Sequence, residues 1–127
     1  MRFFAIALLL VSMTSCSDGQ QQTERQIREV LSWSATADMV LEARARMLVP
    51  NRFAALTVER CAKEIDSLAK ALPASSPNLG SIAGRLTAVI GAAHDDIVNG
   101  RTDTVSRHLE DLRSIEAEMK AGSGAKQ

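Results

Sequence analysis

Residues 51–72, NRFAALTVERCAKEIDSLAKAL, decide the fold. The apolar positions of this stretch recur at alternating spacings of four and three residues: Ala54, Val58, Cys61, Ile65, Leu68 and Leu72. That spacing places them on one face of an α-helix, in the pattern of a packed helical seam. Pro50 and Pro73 bound the stretch, because proline lacks a backbone N–H and disfavours helical geometry in the residue before it. The stretch therefore predicts an amphipathic helix whose apolar face packs against other helices.

Three further amphipathic helices are predicted on either side, over about residues 24–48, 77–98 and 103–121. The first has its apolar face at Ile27, Val30, Leu31, Ala37, Val40, Leu41 and Leu48. The third has it at Leu79, Ile82, Leu86, Val89, Ile90, Ala93 and Ile97. The fourth has it at Val105, Leu109, Leu112, Ile115 and Met119. Four such helices supply enough apolar surface to cover one another.

The helix ends are predicted from capping residues. Thr23 and Gln26 match a capping box, and Asn51 is placed to cap the second helix. Ser76 followed by Pro77 is a cap and a first-turn proline, while Asn99-Gly100 supplies a left-handed stop. Hydroxyl side chains over residues 32–36 compete for backbone hydrogen bonds, so a kink or a new helix start is expected there.

These elements predict an all-α fold, a small antiparallel bundle of four helices, because short connections make neighbouring helices fold back on each other. A long first helix beside a three-helix core is the alternative. There is no strand pattern and no internal repeat. We assign residues 23–121 to the bundle and residues 122–127, after a helix stop at Gly122, to a disordered tail.

The N-terminus has the layout of a signal peptide: Arg2, an apolar run over residues 3–11, and small and polar residues up to Cys16. The apolar run is shorter than the roughly 20 residues that a membrane-spanning helix needs. Thr14, Ser15 and Cys16 resemble the end of a bacterial lipoprotein signal, although Met13 stands where leucine is usual. Ordinary cleavage after Ser17 is the alternative.

The resemblance implies that residues 1–15 are removed and that Cys16 becomes an acylated N-terminal residue. Residues 16–22 would then be a short flexible tether that holds the bundle at a membrane. Ser17 resembles the pattern of lipoproteins sent to the outer membrane, and Asp18 weakens that resemblance. We therefore expect an outer-membrane lipoprotein that faces the periplasm, with the inner membrane left open.

Composition disfavours several classes of function. The chain has 15 basic and 15 acidic residues, and loss of Arg2 with the signal peptide leaves 14 against 15. Near-neutral charge argues against a nucleic-acid binder. Trp33 and Phe53 are the only aromatic residues after residue 15, so stacking platforms for bases or sugars are nearly absent.

Cys61 has no partner in its own chain once Cys16 carries lipid, so no intramolecular disulfide is expected. Its place in the seam of the second helix predicts a small buried hydrophobic residue. An intermolecular disulfide is the alternative.

Helix three carries Gly80, Gly84 and Gly91, which cost about 1 kcal/mol each relative to alanine. The three lie along one face with Ala88. We expect close backbone packing against another helix of the same bundle to offset this cost. A docking groove for a partner helix is the alternative, which makes the three glycines candidate partner-binding residues.

His94 and His108 are the only histidines, and a hairpin turning near Arg101 places them opposite one another. Aspartate and glutamate residues nearby make them weak candidates for a metal site. The Glu-x-x-His pairs of a di-iron bundle, the H-E-x-x-H zinc motif and the haem attachment motif are all absent from the sequence. We therefore expect no metal or other cofactor.

Two functions remain. No serine lies in a G-x-S-x-G motif, so we expect no enzymatic activity. The first hypothesis is a non-catalytic envelope lipoprotein that binds another envelope protein or assists its assembly. The alternative is a bundle that binds a small apolar ligand or a metal ion in its core.

Overall fold

The computed structural model describes residues 2–72 and 77–124, and the side chains of residues 21–72 and 78–122. Over these residues the chain forms four helices and no strand: α1 (Arg2–Ala45), α2 (Asn51–Lys70), α3 (Pro77–Val98) and α4 (Thr102–Gly124). The predicted all-α fold is confirmed.

The helices form a four-membered ring. α2 packs between α1 and α3, and α4 packs between the same two helices on the other side, so α1 and α3 lie on a diagonal and barely touch. The connections formed by residues 46–50 and 99–101 are short, so each reverses the direction of the chain. The helices that they join are therefore antiparallel. The four-helix bundle is therefore the observed architecture.

All four helices share one core, whose fully buried larger side chains include Val30, Leu41, Val58, Cys61, Ile65, Leu86, Ile90, Ile97, Val105, Leu112 and Met119. The alternative of a first helix standing apart is wrong, because Val30 and Leu41 of α1 are as buried as the centre of α2. Leu68 and Leu72 pack against the core but are only partly buried, since they lie at the end of α2 where fewer neighbours surround them.

α1 is longer than predicted and is not interrupted over residues 32–36. It runs without a break through residues 34–36, where the Thr36 hydroxyl donates to the Ser32 carbonyl at 3.0 Å and is satisfied inside the helix. Thr23 lies within α1, so the predicted capping box is wrong, and the expected tether over residues 16–22 is helical in its backbone. Thr23 does not begin the helix, because the residues before it also adopt helical geometry.

The ends of α1 and α3 share one hydrogen-bond pattern. After α3, Gly100 has a φ of 73°, Arg101 N–H donates to the Asp96 carbonyl at 2.8 Å, and Gly100 N–H donates to the Ile97 carbonyl at 3.2 Å. This is the Schellman arrangement that Asn99-Gly100 predicted. After α1, Met47 occupies the left-handed position with a φ of 59°.

Two predicted boundaries need correction. Asn51 does not cap α2, because the cap position is Pro50 and the Asn51 amide instead donates to the Ile97 carbonyl at 2.9 Å, joining the starting end of α2 to the finishing end of α3. α4 continues to Gly124 rather than stopping at Gly122. The predicted cap Ser76 and the last three residues of the tail lie outside the described residues.

Candidate functional site

The small-residue face of α3 consists of Gly80, Gly84, Ala88 and Gly91. A Cβ atom built on any of the three glycines meets nothing within 4 Å. The expectation that these glycines allow close packing inside the bundle is therefore wrong. The physical reason is angular: at 100° per residue the glycines lie about 120° around α3 from the line of buried residues that faces the core.

The open face is small and carries little charge. Gly84 and Ala88 are exposed, and Gly80 and Gly91 are half-buried. No acidic or basic residue other than His94 occurs between Arg85 and Asp95. The Arg85 guanidinium turns toward α4, where it donates to both Glu118 carboxylate oxygens at 3.0 and 2.9 Å. A helix of another protein could approach this face with little steric or electrostatic resistance.

The two histidines contact different carboxylates. His94 Nε2 lies 4.0 Å from Glu59 Oε2, and its Nδ1 lies 3.4 Å from Asp95 Oδ1. His108 Nε2 lies 2.8 Å from Asp96 Oδ2. The structure thus gives each histidine its own acidic partner. No group of three or more His, Cys, Asp or Glu side chains that could hold a metal ion occurs among the described residues.

Asp96 is a buried carboxylate at the turn between α3 and α4. Besides His108, it receives the Arg101 Nε–H at 3.0 Å. Hydrogen bonding from the Thr104 side chain, followed by the Arg101 and His108 contributions, outweighs burial and lowers the pKa of Asp96. These contacts join α3 to α4 at the turn. His108 therefore has a structural role there, as a polar partner of Asp96.

A polar cluster that the sequence patterns did not predict lies between α1 and α4. Arg113 of α4 donates two hydrogen bonds to the Asp38 carboxylate at 2.9 and 3.0 Å. Glu116, one turn further along α4, is buried, and its pKa is raised by that burial and by the charge of Asp38. Ser34 is fully buried beside it, and no hydrogen bond satisfies the Ser34 Oγ or the Glu116 Oε1 atom among the described residues.

A signal for this cluster was present in α1. Ser34 lies four residues after Val30 and three before Ala37, so it occupies a core position of the apolar face. A polar residue at such a position predicts a polar partner across the interface. Chemically, Glu116 binds a proton more tightly than an exposed glutamate, since burial and then the nearby Asp38 charge disfavour its ionised form and raise its pKa.

Cys61 is buried and unpaired in the core, as the seam position predicted. Burial raises the pKa of its thiol, which keeps it in the less reactive protonated form. The alternative of an intermolecular disulfide is wrong for this fold, because a fully buried sulfur cannot meet a second chain without opening the bundle.

Cys16, the candidate lipidation residue, lies in the part of α1 whose side chains are outside the described ones. Among the described residues, no helix has both the length and the apolarity that are needed to span a membrane. Comparison with protein-family models, curated proteins and solved structures finds no match to this chain.

Proposed function

We propose that this chain is a small lipoprotein of the bacterial envelope, anchored through Cys16 and acting without catalysis as a binding module for another envelope protein. The anchor follows from the resemblance of residues 1–16 to a lipoprotein signal. An outer-membrane position facing the periplasm is the preferred location.

The open small-residue face of α3 is the observation that supports a binding role. Three glycines cost helix stability, and each has space for a methyl group that nothing inside the described bundle uses. A partner helix would use that space, because side chains absent from one helix let the other backbone approach. We therefore assign partner binding to Gly80, Gly84 and Gly91, with an uncharged helical segment of an envelope protein as the partner.

The anchor is tested by mass spectrometry of the mature protein from the native membrane. We expect an N-terminal residue 16 carrying acyl chains, and we expect Cys16→Ser to remain unprocessed and unacylated. Normal processing and membrane retention of Cys16→Ser would contradict the anchor and leave the binding face untouched.

The binding face is tested with a photo-crosslinking amino acid placed at Ala88, on the face, and at Ser106, an exposed position on α4. We expect a discrete adduct with an envelope protein from position 88 and none from position 106. Gly84→Leu should abolish the adduct while the melting temperature stays near that of the wild type. Gly84→Ala is the matched control, because a methyl group is too small to block the approach of a partner helix.

Equal adducts from both positions, or an adduct that survives Gly84→Leu, would exclude the α3 face as the binding surface.

A further inference from the structure

Exposed apolar side chains gather at one end of the bundle. Six large hydrophobic residues are exposed among the described side chains: Met39, Met47, Leu48, Phe53, Leu56 and Val98. Four of them lie between residues 47 and 56, and Val98 ends α3 next to Ile97, whose carbonyl accepts the Asn51 amide. Met39 lies outside this group, on α1, six residues before the end of that helix at Ala45. We call residues 43–58 the α1–α2 corner.

Backbone hydrogen bonds hold the corner in this shape. Leu48 N–H donates to the Ala43 carbonyl at 2.8 Å, and Met47 N–H donates to the Arg44 carbonyl at 2.9 Å. The Arg44 side chain reaches across the turn to the Val49 carbonyl at 2.9 Å. Met47 keeps a left-handed backbone that disfavours side chains. The exposed side chains of Met47 and Leu48 are therefore carried by a turn whose backbone is held in place by hydrogen bonds.

The same corner is basic. Residues 43–58 contain Arg44, Arg46 and Arg52 and no acidic residue. Arg46 pairs with Glu42 at 3.3 Å on the exposed surface, and Arg52 forms no ion pair among the described residues. In the neighbouring α3–α4 turn, Arg101 pairs with Asp96, and Asp95 and Asp103 lie nearby in sequence, so that turn has no excess of positive charge.

We propose that the α1–α2 corner binds the surface of an anionic phospholipid bilayer. Two features favour a bilayer as the occupant. The apolar residues lie on a convex turn and the first turns of a helix, which suits insertion into the boundary between headgroups and acyl chains. Arginines beside them match the negative potential of anionic headgroups, each contributing to binding near the surface.

The contact is separate from the proposed lipid anchor. Residue 16 and the end of α1 are 29 residues apart, which is roughly 43 Å along a straight helix at 1.5 Å per residue. Binding of lipid by the corner therefore does not depend on the acylated Cys16. The proposal can be tested in chains that carry no acyl group.

The test uses the full chain with Cys16→Ser and an environment-sensitive fluorophore on a new cysteine at one of two positions. Met47→Cys reports on the corner, and Met39→Cys is the matched control, because both methionines are 72% exposed. Cys61 is buried and labels slowly. The probes are vesicles of phosphatidylcholine alone and of phosphatidylcholine with phosphatidylglycerol. The apolar N-terminal run is present in every sample and cancels in the comparison.

We expect the emission at position 47 to shift to shorter wavelength with phosphatidylglycerol vesicles, to change little with phosphatidylcholine alone, and to recover in high salt. Position 39 should stay unshifted. Arg52→Gln should weaken the vesicle response of position 47 about fivefold, from the typical contribution of one arginine near an anionic surface. Arg28→Gln, an exposed arginine far from the corner, should leave it unchanged.

Several results would overturn the proposal. They are an unshifted label at position 47 with both vesicles, equal shifts at positions 39 and 47, or an equal shift with neutral and anionic lipid. A shift without lipid that grows with protein concentration would assign the corner to a second copy of the chain. A shift with lipid-free envelope protein but not with vesicles would assign it to a protein partner.

Discussion

At the scale of the residue, glycine has different structural roles at different positions of this chain. Gly100 has a positive φ and ends α3, so its lack of a side chain is required there. Gly84 lies in the helix interior with open space where a Cβ would stand. The two positions therefore respond to alanine in opposite ways.

We expect Gly84→Ala to raise the free energy of unfolding by about 1 kcal/mol, because alanine loses less backbone entropy in a helix and meets no atom here. Gly100→Ala should lower it by about 1–2 kcal/mol, because a left-handed backbone strains a side chain. Urea denaturation followed by circular dichroism measures both. Destabilisation by Gly84→Ala would mean that the face is packed after all.

Glu116 is a second residue whose environment predicts an outcome. Burial, followed by the charge of Asp38, raises the pKa of Glu116, while the charge of Lys120 acts in the opposite direction. The folded state therefore binds this proton more tightly than the unfolded chain, whose carboxyl has a pKa of about 4.5. The stabilisation from this group is complete below that value and is lost as pH rises through the folded pKa.

Glu116→Gln should thus raise the free energy of unfolding at pH 8 by about 1 kcal/mol, by removing a buried charge with an unsatisfied oxygen. The advantage should shrink at pH 4.5, because the raised pKa leaves more of the folded Glu116 carboxyl protonated there than in an ordinary glutamate. Urea denaturation at the two pH values provides the measurement. An advantage that is the same at both values would show that Glu116 ionisation does not affect folding.

At the scale of the element, the helices are stabilised more by their ends and contacts than by surface charge. Among the described residues, four ion pairs join side chains four positions apart on one helix: Glu42–Arg46, Glu59–Lys63, Arg60–Glu64 and Asp66–Lys70. All are exposed, so each contributes only a few tenths of a kcal/mol. The Asp96 group differs, because it is buried and joins α3 to α4.

Asp96→Asn should lower the free energy of unfolding by about 1–3 kcal/mol at pH 7, because Arg101 and His108 lose a charged acceptor. The pKa of Asp96 is lowered from about 3.8, so its stabilisation is present above that pH and disappears as pH falls through the folded pKa. Denaturation at pH 7 and pH 3 should show the difference shrinking. Asp111→Asn on the exposed face of α4 is the control and should change little.

At the scale of the whole molecule, one shared core makes the bundle a single cooperative unit. Leu86 is fully buried between helices, whereas Leu56 is 57% exposed on α2. We expect Leu86→Asp to abolish the helical circular dichroism spectrum, because an unpaired charge would enter the core. Leu56→Asp introduces the same change in solvent and should keep the fold. A folded Leu86→Asp protein would contradict the ring arrangement of the helices.

The sequence by itself determined the four helices, most of their core residues and the turns at Pro50, Pro77 and Gly100. These follow from local rules, since helical spacing and the geometry of proline and glycine act within a few residues. It did not determine that α1 continues through Thr23, that Asn51 bonds to Ile97, or that Glu116 faces Asp38. Nor did it determine that the α3 glycines are open to solvent. Those features depend on which helix lies against which and at what rotation, and only the tertiary packing of distant segments decides that.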